Sequence, residues 1–279
     1  MNAPDICARK VTVYFSNMAV ASARPIVNLK ESHFEHENVR INKYTLADEL
    51  PAQLSELGLR PRKMTVPGYT IRKLTVDDKQ KAIDFLSRFF FRDEPMNSAV
   101  NLLETPESRC YELEEYSASS IDQGLSVVAV DDNGNFVGLV INGLVKREEA
   151  DYTDKSEDCP DPKFRCILKV LGHLDREAKI WEKVAPTCDK VVEVRIASTD
   201  SAWRGRGLMR VLCAETERLA KEAGALAMRM DTTSAFSAAA AERLGYRSVY
   251  EVPYADLSYA PQPSPPHLLA KVYIKDLKN

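Results

Sequence analysis

Ile196-Ala197-Ser198-Thr199-Asp200-Ser201-Ala202-Trp203-Arg204-Gly205-Arg206-Gly207-Leu208-Met209 is the stretch on which the reading of this chain turns. It follows the β-branched residues Val191, Val192, Val194 and Ile196, which read as a strand, and leads into a helical pattern from Leu208 to Ala223. A strand, a glycine loop and a helix start aim several backbone N–H groups at one point. Such a point attracts phosphate, through free amide donors and the positive end of the helix dipole. Gly205 and Gly207 let the backbone turn tightly and approach a ligand where a side chain would block it. Arg204 and Arg206 bring positive charge beside the same spot. Two better-known phosphate loops do not fit. No Gly-Lys-Ser/Thr ending follows Gly207, and Gly205-Arg206-Gly207 runs on to Leu208-Met209-Arg210 without the third glycine of a dinucleotide fingerprint. By itself the loop also fits an ordinary turn entering an ordinary helix.

Composition narrows the classes. Of 279 residues, 44% are apolar and 28% charged, the proportions of a globular domain. A net charge of -3 gives no electrostatic case for nucleic acid or an anionic membrane as partner. No apolar run is long enough to span a bilayer. The cysteines are scattered without a C-x-x-C pair, and the histidines do not join them at zinc spacing, so reduced thiols, a cytoplasmic location and no metal are expected. Residues 1–66 read as a weakly structured or loosely docked extension, with a short helix expected over Tyr44 to Leu59. Its acid-poor start lacks the amphipathic arginine-rich helix of a transit peptide.

Residues 67–279 are patterned throughout. Tyr69 to Leu74 alternates like a strand. Thr75 or Asp77 can cap a helix whose apolar residues Ala82, Ile83, Phe85, Leu86, Phe89 and Phe90 share one face, with Pro95 expected to end it. A second helical piece is expected from Met96 to Leu103, followed by the tyrosine- and glutamate-rich Tyr111 to Tyr116. Leu125 to Asp131 and Asn135 to Lys146 read as strands joined by the hairpin signal Asp132-Asn133-Gly134. Glu148 to Asp161 reads as a solvated acidic loop. Asp161-Pro162 then supplies a cap and a first-turn proline to a long helix marked by Phe164, Ile167, Leu168, Leu171, Ala178 and Trp181. Beyond the opening stretch, Ala225 to Met230 reads as a strand and Ser234 to Leu244 as a helix closed by Gly245. Tyr246 to Val252 and Ala270 to Ile274 read as two last strands. The expected order is β-α-α-β-β-α-β-α-β-α-β-β, one α/β domain.

With the order in place, Arg204-Gly205-Arg206-Gly207-Leu208-Met209 resembles the R/Q-x-x-G-x-G/A turn of the GNAT superfamily of acyl-CoA-dependent N-acyltransferases, with Met209 replacing a small residue. Ser237 to Tyr246, ending Arg243-Leu244-Gly245-Tyr246, is similar to that superfamily's A-x-x-x-Y-x-x-x-G-F/Y stretch. Phe90-Phe91-Arg92-Asp93-Glu94-Pro95-Met96-Asn97 resembles the F-F-x-x-E-P-L-N stretch of the insect-type arylalkylamine (dopamine) N-acetyltransferases. Leu174 to Trp181 and Ile196 to Gly207 also align with them by type and spacing. The resemblance runs from about Tyr69 to the end. It implies the GNAT fold: a central mixed, mostly antiparallel sheet flanked by helices.

Acetyl transfer to an amine has physical needs that can be matched to residues. The amine must be neutral to attack a thioester, yet a primary alkylamine resembles lysine, with a pKa near ~10.4, so a base is required. Glu94, just past an apolar helix face and before a proline, is the candidate, and the resemblance implies a general base at that position. Asp93, its neighbour, is expected to point elsewhere. The resemblance further implies a strand bulge at which the pantetheine arm of acetyl-CoA pairs with backbone of Ile196, Ala197, Ser198 and Thr199. It places the pyrophosphate on Arg204, Gly205, Arg206, Gly207, Leu208 and Met209. The tyrosine that serves the leaving thiolate in many GNAT enzymes falls at Ala241 and is absent. The arylalkylamine enzymes carry two hydroxyls four apart instead, matched here by Thr233 and Ser237, either of which can equally cap a helix. Cys213 reads as packing.

The expected function is acetyl transfer from acetyl-CoA to a small-molecule amine by a monomer, with dopamine, tyramine, octopamine and serotonin as implied acceptors. Phe89 to Phe91, Tyr111 and Tyr116 can line an apolar cleft or be core. Alternatives are another acceptor (a polyamine, an amino-acid conjugate, a protein lysine), a longer acyl donor, or a non-catalytic acyl-CoA-binding module.

Overall fold

Alternation gives the central sheet two apolar faces. Val127 and Ala129 pack on one side of it and Val128 on the other; Val192 and Val194 likewise oppose Val191. The computed structural model describes residues 68–154 and 156–277, and the backbone of two short strands, β1 (Tyr14–Phe15) and β2 (Arg40–Ile41). The helix expected over Tyr44 to Leu59 lies outside the described residues.

The chain then runs β3 (Tyr69–Lys73), α1 (Lys79–Phe89), α2 (Pro95–Ala99), α3 (Tyr111–Ala118), β4 (Val127–Asp131), β5 (Phe136–Lys146), α4 (Pro162–Ala178), α5 (Ile180–Lys183), β6 (Lys190–Thr199), α6 (Leu208–Glu222), β7 (Ala227–Thr232), α7 (Ala235–Arg243), β8 (Arg247–Pro253) and β9 (Leu269–Asp276). The sheet order is β2-β3-β4-β5-β6-β7-β9-β8, with β1 beside β6. Pairing is antiparallel except between β6 and β7 and between β1 and β6. Residues of α1 to α5 fill the core on one face, and residues of α6 and α7 fill it on the other. This is the mixed, mostly antiparallel sheet flanked by helices that the sequence leads one to expect. Among the described residues no helix is long and apolar enough to cross a membrane.

Three local expectations need correction. Pro95 does not end the first helix: α1 stops at Phe89, Phe90 leaves the helical region (φ -138°), and Pro95 opens α2 at its first position. The Tyr111 segment is a helix, α3, whose buried set is only Leu113, Tyr116 and Ser117, too sparse to show a clear period. Lys179 takes a left-handed conformation (φ 45°), which separates Trp181 into α5 from the α4 pattern. The cap at Asp161 forms as expected, its carboxylate accepting from the N–H groups of Lys163 and Phe164, both at 2.8 Å.

A buried ionic cluster fixes where β6 and β7 run together. The Arg229 guanidinium on β7 donates to both Asp231 oxygens (2.7 and 2.6 Å) and to Asp175 of α4 (2.7 Å), with Glu193 of β6 at 3.5 Å. Arg229 is 2% exposed, so its charge is compensated by these acids and not by water. The β6–β7 ladder extends one register step beyond Glu193↔Arg229 and ends at Val194↔Met230.

Candidate active site

The strands part at that point. In the β5–β6 ladder Ile141 faces Ile196 and Asn142 faces Val194, which leaves Arg195 as the extra residue of a bulge. The Asn142 N–H is bonded to the Ser126 hydroxyl instead (3.1 Å), and its side-chain amide to the Leu125 carbonyl (2.8 Å). Beyond the bulge β6 continues to Thr199 without a β7 partner, while β7 goes its own way to Thr232. The stretch Ile196 to Thr199 thus lies along the split. Its first two residues, Ile196 and Ala197, pair in parallel with Tyr14 and Phe15 of β1.

At the end of β6 comes the glycine loop. Gly205 (φ +74°) and Gly207 (φ +79°) are both left-handed, and a Cβ on either would meet nothing within 4 Å. The space in front of the loop is open. The Val211 N–H is bonded to the Gly207 carbonyl at 3.3 Å, so the N–H groups of Leu208, Met209 and Arg210 precede the first intrahelical bond of α6. Leu208 and Met209 turn their side chains into the core. Their helix lies close on the sheet: a Cβ at Gly138 of β5 would meet Leu208 and Leu212 at 3.1 Å. Met209 therefore does not lift α6 away from β5.

The two arginines of the loop behave differently from each other. Arg206 is exposed and lies over the Trp203 ring at 5.6 Å. Arg204 is turned inward: Nε donates to the Thr199 carbonyl (3.1 Å), and Nη2 donates to the Phe89 carbonyl (3.4 Å) and to Asp93 (3.2 Å). It ties the loop to the α1–α2 connection. Asp93 is thereby turned to Arg204, away from the role of base.

Glu94 is the N-cap of α2 and is 1% exposed. Its Oε2 accepts from the Asn97 N–H at 2.6 Å, and its Oε1 accepts from the Thr233 hydroxyl at 3.0 Å. Burial pushes its carboxyl up to about 7, against the lowering effect of the Asn97 and Met96 N–H groups and the Thr233 hydroxyl. Asn97 is itself fixed, its amide donating to the Phe91 carbonyl at 2.9 Å. The connection carrying Glu94 also meets the other arm of the split, since the Ser198 hydroxyl donates to the Phe89 carbonyl at 3.3 Å. Residues 89–94 thus touch both β6 and the residue that follows β7.

Ser237 is not beside Glu94 in this network. It forms a reciprocal capping pair with Ser234: the Ser237 N–H donates to Ser234 Oγ (3.0 Å), and the Ser234 N–H donates to Ser237 Oγ (3.2 Å). The aromatic cluster separates too. Phe90, Phe91 and Tyr116 are core, Tyr111 is 67% exposed, and only Phe89 is partly buried near the site. Cys213 is buried, which pushes its thiol up to about 12 and fits a packing role. Cys110, Glu112 and Asp161 bring ligand-type atoms within 4.8 Å of one another, but Asp161 is already the cap of α4.

Sequence reasoning missed two participants. Asn97 stands in the quoted Phe90 to Asn97 stretch, where its N–H donor is legible only once Glu94 is known to be an N-cap. Tyr254, whose hydroxyl donates to the Thr233 carbonyl at 2.9 Å, has no sequence signal, lying just past Pro253 at a strand end.

No family model matches the sequence. Solved structures do. An arylalkylamine N-acetyltransferase 2 from Aedes aegypti is 29% identical, with a TM-score of 0.69 over 75% of this chain and 99% of that one. A mosquito arylalkylamine N-acetyltransferase like 5b is 25% identical, with a TM-score of 0.66 over 75% of this chain and all of that one (100%). A Drosophila melanogaster polyamine N-acetyltransferase, an enzyme that catalyses the formation of N-acetylagmatine, shares the fold at 22% identity, with a TM-score of 0.65 over 75% of this chain and 100% of that one. The split strand pair, the glycine loop and these likenesses define a GNAT acetyltransferase fold. Within that superfamily the chain is similar to the insect arylalkylamine N-acetyltransferases.

Proposed function

We propose that the protein is an N-acetyltransferase that moves an acetyl group from acetyl-CoA to a small primary amine, an arylalkylamine in the first place, by direct attack in a ternary complex. The observation that carries this reading is the Glu94 carboxyl, buried so that its pKa is pushed up to about 7, and held by Thr233 at the split between β6 and β7. A base with that pKa is matched to taking a proton from an alkylammonium near neutral pH. The neutral nitrogen attacks the thioester carbonyl, forming the N–C bond as the carbonyl electrons move to oxygen. Collapse of that tetrahedral species breaks the C–S bond. The proton that Glu94 took from the ammonium returns by way of Thr233 to the departing CoA thiolate, and the second proton of the nitrogen passes to the carboxylate so regenerated, which releases it to water.

In this reading the pyrophosphate lies before Gly205 to Leu208, and the pantetheine arm pairs along Ile196 to Thr199, whose backbone donors stabilise the oxyanion. Arg206 supplies charge at the loop, while Arg204 holds the loop to the base-bearing connection. We assign the return of a proton to the thiolate to Thr233, on the support of the hydrogen bond it shares with Glu94. Thr233→Val is expected to lower kcat about tenfold or more. Ser237→Ala is expected to lower stability by about 1 kcal/mol through its cap and to leave kcat within about threefold. A large loss of kcat in Ser237→Ala at unchanged Tm would instead put the Ser237 hydroxyl in the chemistry.

The donor arm and β1 cannot both pair with Ile196 and Ala197. Phe15→Pro removes one backbone donor from β1. It is expected to lower the KM for acetyl-CoA at unchanged kcat; an unaltered KM would show that β1 does not compete.

A panel of amines with acetyl-CoA, read by thiol release, tests the acceptor. Saturable turnover of tyramine or dopamine supports the reading. Turnover confined to polyamines or a protein lysine overturns the acceptor class and keeps the chemistry.

A further inference from the structure

We infer that Tyr254 is a positioning residue for the proposed reaction: its hydroxyl holds the Thr233 backbone and so aims the hydrogen bond that Glu94 receives. The inference rests on the reading of Glu94 as general base. Thr233 and Ser234 form the whole connection between the end of β7 at Thr232 and the start of α7 at Ala235. Two residues give such a turn few anchors of its own. Threonine is stiff at χ1, so the place of its hydroxyl follows its backbone closely. The Thr233 carbonyl is met by the Tyr254 hydroxyl at 2.9 Å, and the Thr233 hydroxyl reaches Glu94 Oε1 at 3.0 Å. One residue thus takes support at its carbonyl and delivers it from its side chain.

Tyr254 is well placed to give that support. It is 2% exposed, its N–H donates to the Leu268 carbonyl (3.1 Å), and its carbonyl accepts from the Gln262 side chain (2.9 Å). The connection from β8 to β9 that carries it meets the same turn at a second point. There His267 Nδ1 accepts from the Ala235 N–H at 3.2 Å, and the His267 ring packs edge-on to Phe236 at 4.9 Å. Burial and the nearby Glu94 charge both push the Tyr254 hydroxyl well above its usual range, so it remains a donor throughout the working pH. Without that hydroxyl the buried Thr233 carbonyl loses its donor, and the turn relaxes toward another partner.

The test uses the full chain with Tyr254→Phe, Thr233→Val and both together. The readouts are the pH dependence of kcat/KM and the titration of the Glu94 carboxyl by carbon-13 NMR, assigned by its disappearance in Glu94→Gln. Losing the Thr233 hydrogen bond removes a stabiliser of the carboxylate, so in each single variant the midpoint should rise above about 7. In Tyr254→Phe the rate at pH 7 should fall about three- to tenfold, less than in Thr233→Val, with the KM for acetyl-CoA within about twofold. The double variant should be no worse than Thr233→Val alone, because Tyr254 acts through Thr233. An unchanged midpoint in Tyr254→Phe, with only a lower Tm, would overturn the inference, and so would shifts that add in the double variant. An acid limb that persists in Glu94→Gln would sink the base assignment instead. Should no amine turn over, the NMR midpoint still decides whether Tyr254 sets the state of Glu94.

Discussion

Glu94→Gln is expected to lower kcat by about two to four orders of magnitude while acetyl-CoA affinity stays within about twofold. The substitution keeps the volume of the side chain and an acceptor for the Asn97 N–H, and the Thr233 hydroxyl can turn to accept from the new amide. What is lost is the ability to take a proton. In the wild type only the ionised carboxylate can act, so kcat/KM should rise with pH through a midpoint of about 7, and that limb should vanish in the variant. A rate unchanged near neutral pH would contradict the assignment.

The same residue makes a stability prediction of opposite sign. Burial holds the folded carboxyl at about 7, above the 4.5 of a solvated glutamate in the unfolded chain. A difference of that size corresponds to about 3 kcal/mol. With the folded pKa raised, the favourable contribution is fully present below about 4.5 and is lost as pH rises through about 7. Ionising Glu94 in its buried site therefore costs stability at pH 8. Glutamine does not titrate, so Glu94→Gln should unfold at a higher Tm than the wild type at pH 8, with the gap shrinking towards pH 5. Equal Tm values at both pH values would show that the carboxyl is better solvated than its 1% exposure implies.

Gly207→Val should remove acetyl-CoA binding, with an affinity loss of at least about a hundredfold, while the domain stays folded. The position is the N-cap of α6 at φ +79°, and a Cβ there meets nothing in the protein. The new side chain would stand in the open space that the reading assigns to the pyrophosphate. A β-branched residue in a left-handed conformation costs about 1–2 kcal/mol, which in a domain of this size lowers Tm by roughly 2–8 °C. Isothermal titration with CoA and a thermal melt separate the two effects. Unaltered affinity would exclude the phosphate site, and a chain that no longer melts cooperatively would show that strain, not blockage, was decisive.

What could be read from the sequence was local chemistry. The loop from Arg204 to Met209 announces left-handed glycines before a helix, and the structure has them. Asp161-Pro162 announces a cap and Asp132-Asn133-Gly134 a hairpin, because each needs only neighbours in the chain. Glu94 stood out by its place before a proline, but the meaning of that proline did not, since proline both stops one helix and starts another. Arg204 reads as charge for a phosphate until the fold shows that Thr199, Phe89 and Asp93 hold it. Ser234 and Ser237 make a capping pair without the glutamate that usually marks one. Tyr254 reaches Thr233 across 21 residues of chain, and no local rule connects them. The donor side of the site is written in one continuous stretch, whereas the support of the base is assembled from α2, the β7–α7 turn and the β8–β9 connection.

The central claim is acetyl transfer between a thioester and an amine, and one measurement meets it directly. Incubating the protein with acetyl-CoA and tyramine, thiol release and N-acetyltyramine are followed together as both substrates are varied. The account predicts equimolar products, saturation in each substrate and initial-rate lines that intersect, as a ternary complex requires. Binding of acetyl-CoA with no acetylated amine, or thiol release independent of the amine, would contradict it.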